Sequence, residues 1–129
     1  MGYLLDADWI IDVLGGRRGA RDILSGLASE GLAVSWITIA EVYEGAMAAA
    51  DPESALEVFR RYLHSFRILD LNDPIAERFA RIRSDLRRRG SLIPDLDILL
   101  GATALHYDLT VLTRNLRHLS RIPGISLYH

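Results

Sequence analysis

Four segments, far apart in the chain, each end in or lead to an oxygen-bearing residue that a divalent cation accepts. Tyr3-Leu4-Leu5-Asp6 is an apolar run that stops at a carboxylate. Ala33-Val34-Ser35-Trp36-Ile37-Thr38 is another apolar run, and it leads into Ile39-Ala40-Glu41. Ile93-Pro94-Asp95-Leu96-Asp97 opens an apolar, helix-like stretch, and Thr110-Val111-Leu112-Thr113 runs on into Arg114-Asn115. In a parallel α/β sheet the carboxyl ends of the strands share one edge, where ligands bind. Asp6, Glu41, Asp97 and Asn115 are therefore expected to meet. Crowded carboxylates repel one another unless a cation or shared proton lies between them. Oxygen-only ligands suit Mg²⁺ and Mn²⁺, so the pattern points to metal-assisted hydrolysis.

The elements that must position these residues alternate between short apolar runs and amphipathic stretches. That alternation predicts an α/β fold with a mostly parallel sheet. Residues 2–5 read as a buried strand. Asp8 is placed to cap a short helix that Gly15-Gly16 stops. A helix is predicted over 19–30 and a strand over 32–36. Thr38 is expected to cap the helix carrying Glu41, with Ile39, Val42, Tyr43 and Met47 on one apolar face. Asp51-Pro52 and Asp73-Pro74 each read as a cap followed by proline, opening helices to about 65 and about 89. Phe66–Leu69 reads as a strand between them. Ile75, Phe79, Ile82 and Leu86 form a helical stripe, with Arg78, Arg81 and Arg88 off it and Asp85 placed to pair with Arg81. A central helix over 95–107, a strand over 110–113, a short helix near 115–120 and a last strand over 125–128 complete the prediction.

Composition narrows the chemistry. A chain of 129 residues, 50% hydrophobic and 25% charged, fits one core-forming domain, 1–129. No apolar run reaches the ~20 residues of a bilayer span. The opening residues lack the basic region of a signal peptide. Cysteine is absent, which excludes disulfides and thiolate chemistry. A cytoplasmic setting is therefore expected. All fifteen basic residues are arginine, and nine lie between Arg60 and Arg89. That run is either a phosphate-binding surface or a solvated helix face. The absence of lysine argues against mechanisms that need an amine.

Leu4-Leu5-Asp6-Ala7-Asp8-Trp9-Ile10-Ile11, Ile37-Thr38-Ile39-Ala40-Glu41-Val42-Tyr43-Glu44-Gly45, Ile93–Leu105 and Leu112-Thr113-Arg114-Asn115, with the later Ile122-Pro123-Gly124-Ile125, together resemble PIN-domain ribonucleases, most closely VapC-type toxins. The likeness spans nearly the whole chain in the correct order. It implies a PIN-like domain and an endoribonuclease using Mg²⁺, with Mn²⁺ as a substitute. It also implies an RNA substrate, a homodimer, no membrane, and a small cognate antitoxin covering the acidic groove. On this likeness Asp6, Glu41 and Asp97 are metal-binding catalytic acids. Asp95, a frequent second acid beside Asp97, is a further metal-binding residue, and Asn115 is a catalytic residue acting as a neutral ligand or supporting group. Thr113 is a hydroxyl supporting the site edge and, with Arg114, a candidate substrate contact. One departure is Asp8, where relatives carry asparagine or serine.

Structural alternatives stand beside these roles. The helix dipole alone favours acids at Asp95 and Asp97. Asn115 also fits as a cap for the next helix. Arg117, His118 and Arg121 fit a solvated helix as well as a phosphate contact. Trp9 and Trp36 fit packing as well as base stacking. The histidines follow no metal-ligand spacing and receive no role. Two rival functions remain. Asp6-Ala7-Asp8 resembles the start of a haloacid-dehalogenase-like phosphatase, but the lysine that family uses is missing, and a receiver domain fails for the same reason. A non-catalytic module binding nucleic acid or protein through its arginines is the other.

Overall fold

The computed structural model describes residues 2–129. The elements follow in the order β1 (Tyr3–Leu5), α1 (Ala7–Leu14), α2 (Arg18–Leu27) with a 3₁₀ turn at Ala28–Glu30, β2 (Leu32–Ser35), α3 (Trp36–Ala46), α4 (Pro52–Leu63), β3 (Arg67–Leu69), α5 (Asp73–Arg88), α6 (Asp95–Tyr107), β4 (Thr110–Leu112) and α7 (Leu116–Leu119). The four strands pair in parallel in the order β3-β2-β1-β4. Among the described residues no helix is long and apolar enough to cross a membrane.

Helices cover both faces of the sheet, which is why the strands read as continuous apolar runs. Successive strand residues point to opposite faces. Leu5, Val34 and Leu112 join the core built with α1–α4, while Leu4, Ala33 and Val111 pack with Leu100 and Ala104 of α6. A further cluster joins Ile75, Ile82 and Leu86 of α5 to Ile98 and Ala102 of α6. Helix α6 is the central one, buried along Ile98, Leu100, Gly101, Ala102, Thr103 and Ala104.

Several local expectations are corrected. Asp6, not Asp8, caps α1, because its carboxylate accepts the Ala7 N–H at 2.8 Å. Ser35, not Thr38, caps α3, accepting the Thr38 N–H at 3.3 Å. Asn72 caps α5, one residue before the expected Asp73, by accepting the Ile75 N–H. Met47 lies beyond α3 and is exposed. Residues 125–128 form no strand. Only a parallel bridge between Val111 and Leu127 forms, through Val111 N–H to Ser126 O and Tyr128 N–H to Val111 O. Asp85 pairs with Arg89 at 2.8 Å and Arg81 with Glu77 at 3.0 Å. Arg60 and Arg61 pair with Glu57 and Arg83 with Asp95, so much of the arginine run is a solvated, ion-paired surface.

Candidate active site

Parallel strands deliver their carboxyl ends to one edge, and the residues directly after β3, β2, β1 and β4 are Asp70, Trp36, Asp6 and Thr113. The chain builds outward from β1 to β3 and then returns to β4 on the other side of β1. Strand order therefore reverses between β1 and β4, which opens a crevice at this edge. Asp6 and Thr113 flank that crevice and meet across it. The Thr113 hydroxyl donates to Asp6 Oδ2 at 2.7 Å and accepts the Asn115 N–H at 3.0 Å. Both Asp6 and Thr113 are buried.

The other acids come from helices, Glu41 from the middle of α3 and Asp97 from the first turn of α6. Thr38 donates its hydroxyl to Leu5 O at 2.9 Å, tying the first turn of α3 to the end of β1. Glu41 follows three residues later, on the same side of the helix. Asp97 lies in the first turn of α6, and its Oδ2 accepts from Asn115 Nδ2 at 3.0 Å. His118 brings Nδ1 to 3.0 Å from the same Asp97 oxygen and to 2.8 Å from Asn115 Nδ2. Sequence reasoning missed His118. The available signal was its spacing of three from Asn115, which places two polar groups on one side of a helical turn.

Electrostatics bind the acids into one group. Burial pushes the Asp6 carboxyl above the usual carboxylate range, and Asp97 adds repulsion, while the Thr113 and Ala7 hydrogen bonds pull it back. Burial, then repulsion from Asp6, raises Asp8 to about 6. Burial, then Asp6, Asp97 and Asp8, raises Glu41 to about 7. This repulsion couples Asp6, Glu41 and Asp97 electrostatically at the sheet edge. Asp8 adds a buried Oδ1 with no hydrogen-bond partner. Among the described residues no three acid or histidine side chains form a ready-made metal cage.

Three expected roles need revision. Asp95 is bound to Arg83 at 2.8 Å and exposed, so it is engaged on the surface. Thr113 is occupied by Asp6 and Asn115 and is buried, which leaves it a positioning role in place of the expected substrate contact. Arg114 is held by Asp12 Oδ2 at 2.9 Å and lies 4.1 Å from the Trp9 ring centroid. Its backbone N–H donates to Asp8 Oδ2. This strap fixes the loop after β4 against α1. Asn115 also precedes α7, but its side chain makes no cap bond and turns to Asp97.

A parallel sheet with helices on both faces and a crevice at its switch point defines a doubly wound α/β architecture that binds ligands at that edge. Residues 3–125 match the PIN domain, and the chain belongs to the PIN-domain family. It is similar to ribonuclease VapC2 of Haemophilus influenzae, with 34% identity over 125 residues, covering 95% of this chain and 93% of that protein. It is also similar to the tRNA(fMet)-specific endonuclease VapC of Salmonella typhimurium, 32% identical over 96 residues, 74% of this chain and 73% of the relative. Its fold matches DNA-bound VapBC from Salmonella typhimurium with a TM-score of 0.88 and 28% identity, over 99% of this chain and 97% of the other. VapBC2 from Rickettsia felis, bound to a promoter DNA fragment, shares the fold at a TM-score of 0.91 and 23% identity, over 99% and 98% of the two chains. Family membership sets aside the phosphatase and receiver readings of Asp6-Ala7-Asp8.

Proposed function

We propose that this protein is a VapC-type toxin, a Mg²⁺-dependent endoribonuclease that Mn²⁺ also supports. The observation that carries the reading is the acidic edge at the β1/β4 crevice, where burial raises Asp6 and Glu41, Asp97 adds repulsion to both, and Asp6 adds repulsion to Glu41. A divalent cation relieves that cost. Mg²⁺ is commonly held by one or two carboxylates and several waters, so the lack of a complete protein cage fits it. The buried, unpartnered Asp8 Oδ1 is a further oxygen suited to such an ion or its waters. Asp6 and Asp97 are the direct ligands in this reading. When bound, the ion acidifies water and neutralises the phosphodiester oxygens.

The protein groups supply orientation. Thr113 fixes Asp6 Oδ2, and Asn115 with His118 fixes Asp97 Oδ2. Glu41 orients the attacking water from the first half of α3. Asn115 holds Asp97 without adding charge. The likeness to VapC proteins and VapBC assemblies supports two further parts of the proposal, RNA as substrate and a cognate antitoxin, and a homodimer completes it. The antitoxin places an arginine or lysine beside Asp6 and Asp97 in the acidic groove. Arginine suits this role because its bidentate fork offsets desolvation best.

Asp6→Asn tests the reading. Asparagine keeps the shape and can cap α1, yet removes the charge. Purified variant protein is expected to fold like the parent, bind Mn²⁺ weakly and leave RNA uncut, while the parent cuts RNA with Mg²⁺ and stops on chelation. Cleavage by the variant at the parental rate overturns the assignment.

A further inference from the structure

Trp36 is the residue at the strand-end edge that the catalytic roles do not use. It directly follows β2, one strand from Asp6, which follows β1. Adjacent strands lie about 4.8 Å apart, so Trp36 stands within a nucleotide or so of the acidic crevice. The side chain is 44% exposed, whereas the other tryptophan, Trp9, is 4% exposed. Exposure of so large an apolar ring costs free energy that burial would recover.

The ring is also held in place. Trp36 Nε1–H donates to Asp70 Oδ1 at 2.8 Å, and Asp70 is the residue directly after β3. Asp70 is steadied in turn by the Tyr107 hydroxyl, which donates to its backbone oxygen at 3.4 Å. His64 meets the indole edge to face, with centroids 6.4 Å apart. Backbone mobility is limited as well, because Trp36 is the first residue of α3, between the Ser35 cap and the anchored Thr38. The single indole donor is thus spent on protein, leaving a fixed π-surface beside a phosphodiester-cleaving edge. Bases stack on such surfaces without regard to identity, and only unpaired bases present a free face.

We infer that Trp36, oriented by Asp70 and His64, is a stacking subsite for an unpaired RNA base next to the scissile phosphate. This rests on the ribonuclease reading above. The subsite selects single strands or loops over duplex and sets substrate affinity more than the chemical step. An exposed indole could equally be covered by a second copy of the chain. The fixed orientation and the place in the row Asp70–Trp36–Asp6–Thr113 favour nucleic acid.

The test uses an Asp6→Asn background, so that RNA stays intact, and a single-stranded RNA oligonucleotide of mixed sequence as probe. Indole fluorescence and affinity are read together, because Trp9 is buried and reports little. Single-stranded RNA is expected to quench the parent, and the matching duplex to quench far less. Trp36→Ala should abolish the quench and weaken binding about tenfold, the size of one base–aromatic stack. Trp36→Phe should keep most of the affinity, which controls for misfolding of the alanine variant. In the cleaving protein, Trp36→Ala should raise KM with little change in kcat. Equal RNA affinity with and without the indole overturns the subsite while leaving the nuclease reading intact. Sedimentation of Trp36→Ala as a smaller species, with RNA affinity unchanged, overturns it in favour of a protein interface. A parent that neither binds nor cuts RNA removes both readings.

Discussion

Asp6 serves two structures at once. Its Oδ1 caps α1 and its Oδ2 receives the Thr113 hydroxyl, so both oxygens are oriented by the protein itself. This double use separates two substitutions. Asp6→Ala loses cap and charge together and should cost about 1 kcal/mol through the cap, less whatever relief of repulsion returns. Asp6→Asn keeps the cap but loses the charge and the second acceptor oxygen, to which the Thr113 hydroxyl donates. Comparing their urea midpoints measures the cap apart from the site, and equal midpoints would show that the cap contributes nothing. Asp97 depends on His118 in a similar way. Three polar atoms, Asp97 Oδ2, Asn115 Nδ2 and His118 Nδ1, stand 2.8–3.0 Å apart in a triangle. If His118 carries its proton on Nδ1, it and Asn115 both donate to the carboxylate, leaving Asp97 Oδ1 for a cation. His118→Ala should lower cleavage and Mn²⁺ affinity about 10–100-fold, the usual effect of losing a group that orients a ligand. His118→Asn should recover part of both. Unchanged Mn²⁺ affinity in a calorimetric titration would deny His118 this role. The residue escaped sequence reading because histidines were sought at metal-ligand spacing, whereas this one acts on an acid.

At the scale of elements, capping decides where the site residues stand. Asn72, Asp51 and Ser35 each accept a backbone N–H three residues on, and each fixes the start of a helix. The strands and long helices were legible in the sequence because apolar periodicity and Asp-Pro starts act locally. The positions of Asp6 and Asp97 were legible for the same reason, since both sit at element boundaries, whereas Glu41 lies in the middle of α3. What was not legible depends on partners far away in the chain. Thr38 looks like a cap but spends its hydroxyl on Leu5, 33 residues earlier. Arg114 looks like a phosphate ligand but is captured by Asp12, 102 residues earlier. Residues 125–128 look like a strand, yet the turn at Pro123-Gly124, with Gly124 at φ +80°, brings only one bridge residue beside β4. Gly101 on α6 shows how tightly the helices must meet. A Cβ there would collide with Ile122 Cδ1, the end of a side chain that can shift. Gly101→Ala should therefore destabilise the protein by about 1–2 kcal/mol in urea unfolding, through overpacking. A stabilised variant would mean that Ile122 has room to move and that helix propensity wins.

For the whole molecule, charge is arranged unevenly around a small net value of −2. The arginines of α4 and α5 are largely matched by Glu57, Glu77, Asp85 and Asp95 on the surface. Exposed pairs of this kind contribute little to stability. The acids at the sheet edge are different, because burial and repulsion raise Glu41 to about 7 and Asp8 to about 6. The sign of the consequence follows from proton counting. Between the unfolded values near 4 and these folded values, the folded protein binds more protons than the unfolded chain, so stability falls as pH rises. Without metal, the protein should be most stable near pH 5 and should lose on the order of 1–2 kcal/mol by pH 8, after discounting for the solvent that reaches both groups. Mg²⁺ or Mn²⁺ should restore that loss at pH 8 and do little at pH 5, where protons already occupy the acids. Asp6→Asn should reduce the pH dependence without abolishing it, since burial remains while the strongest charge acting on both groups is gone, and should blunt the response to metal. Thermal unfolding across pH, with and without Mn²⁺, measures all three effects in one series. A metal-free protein whose stability rises from pH 5 to pH 8 would show that the acids are already compensated within the chain. On the proposed reading the same cluster links fold and function: the burial and repulsion that raise Glu41 and Asp8 would favour binding of the proposed cation.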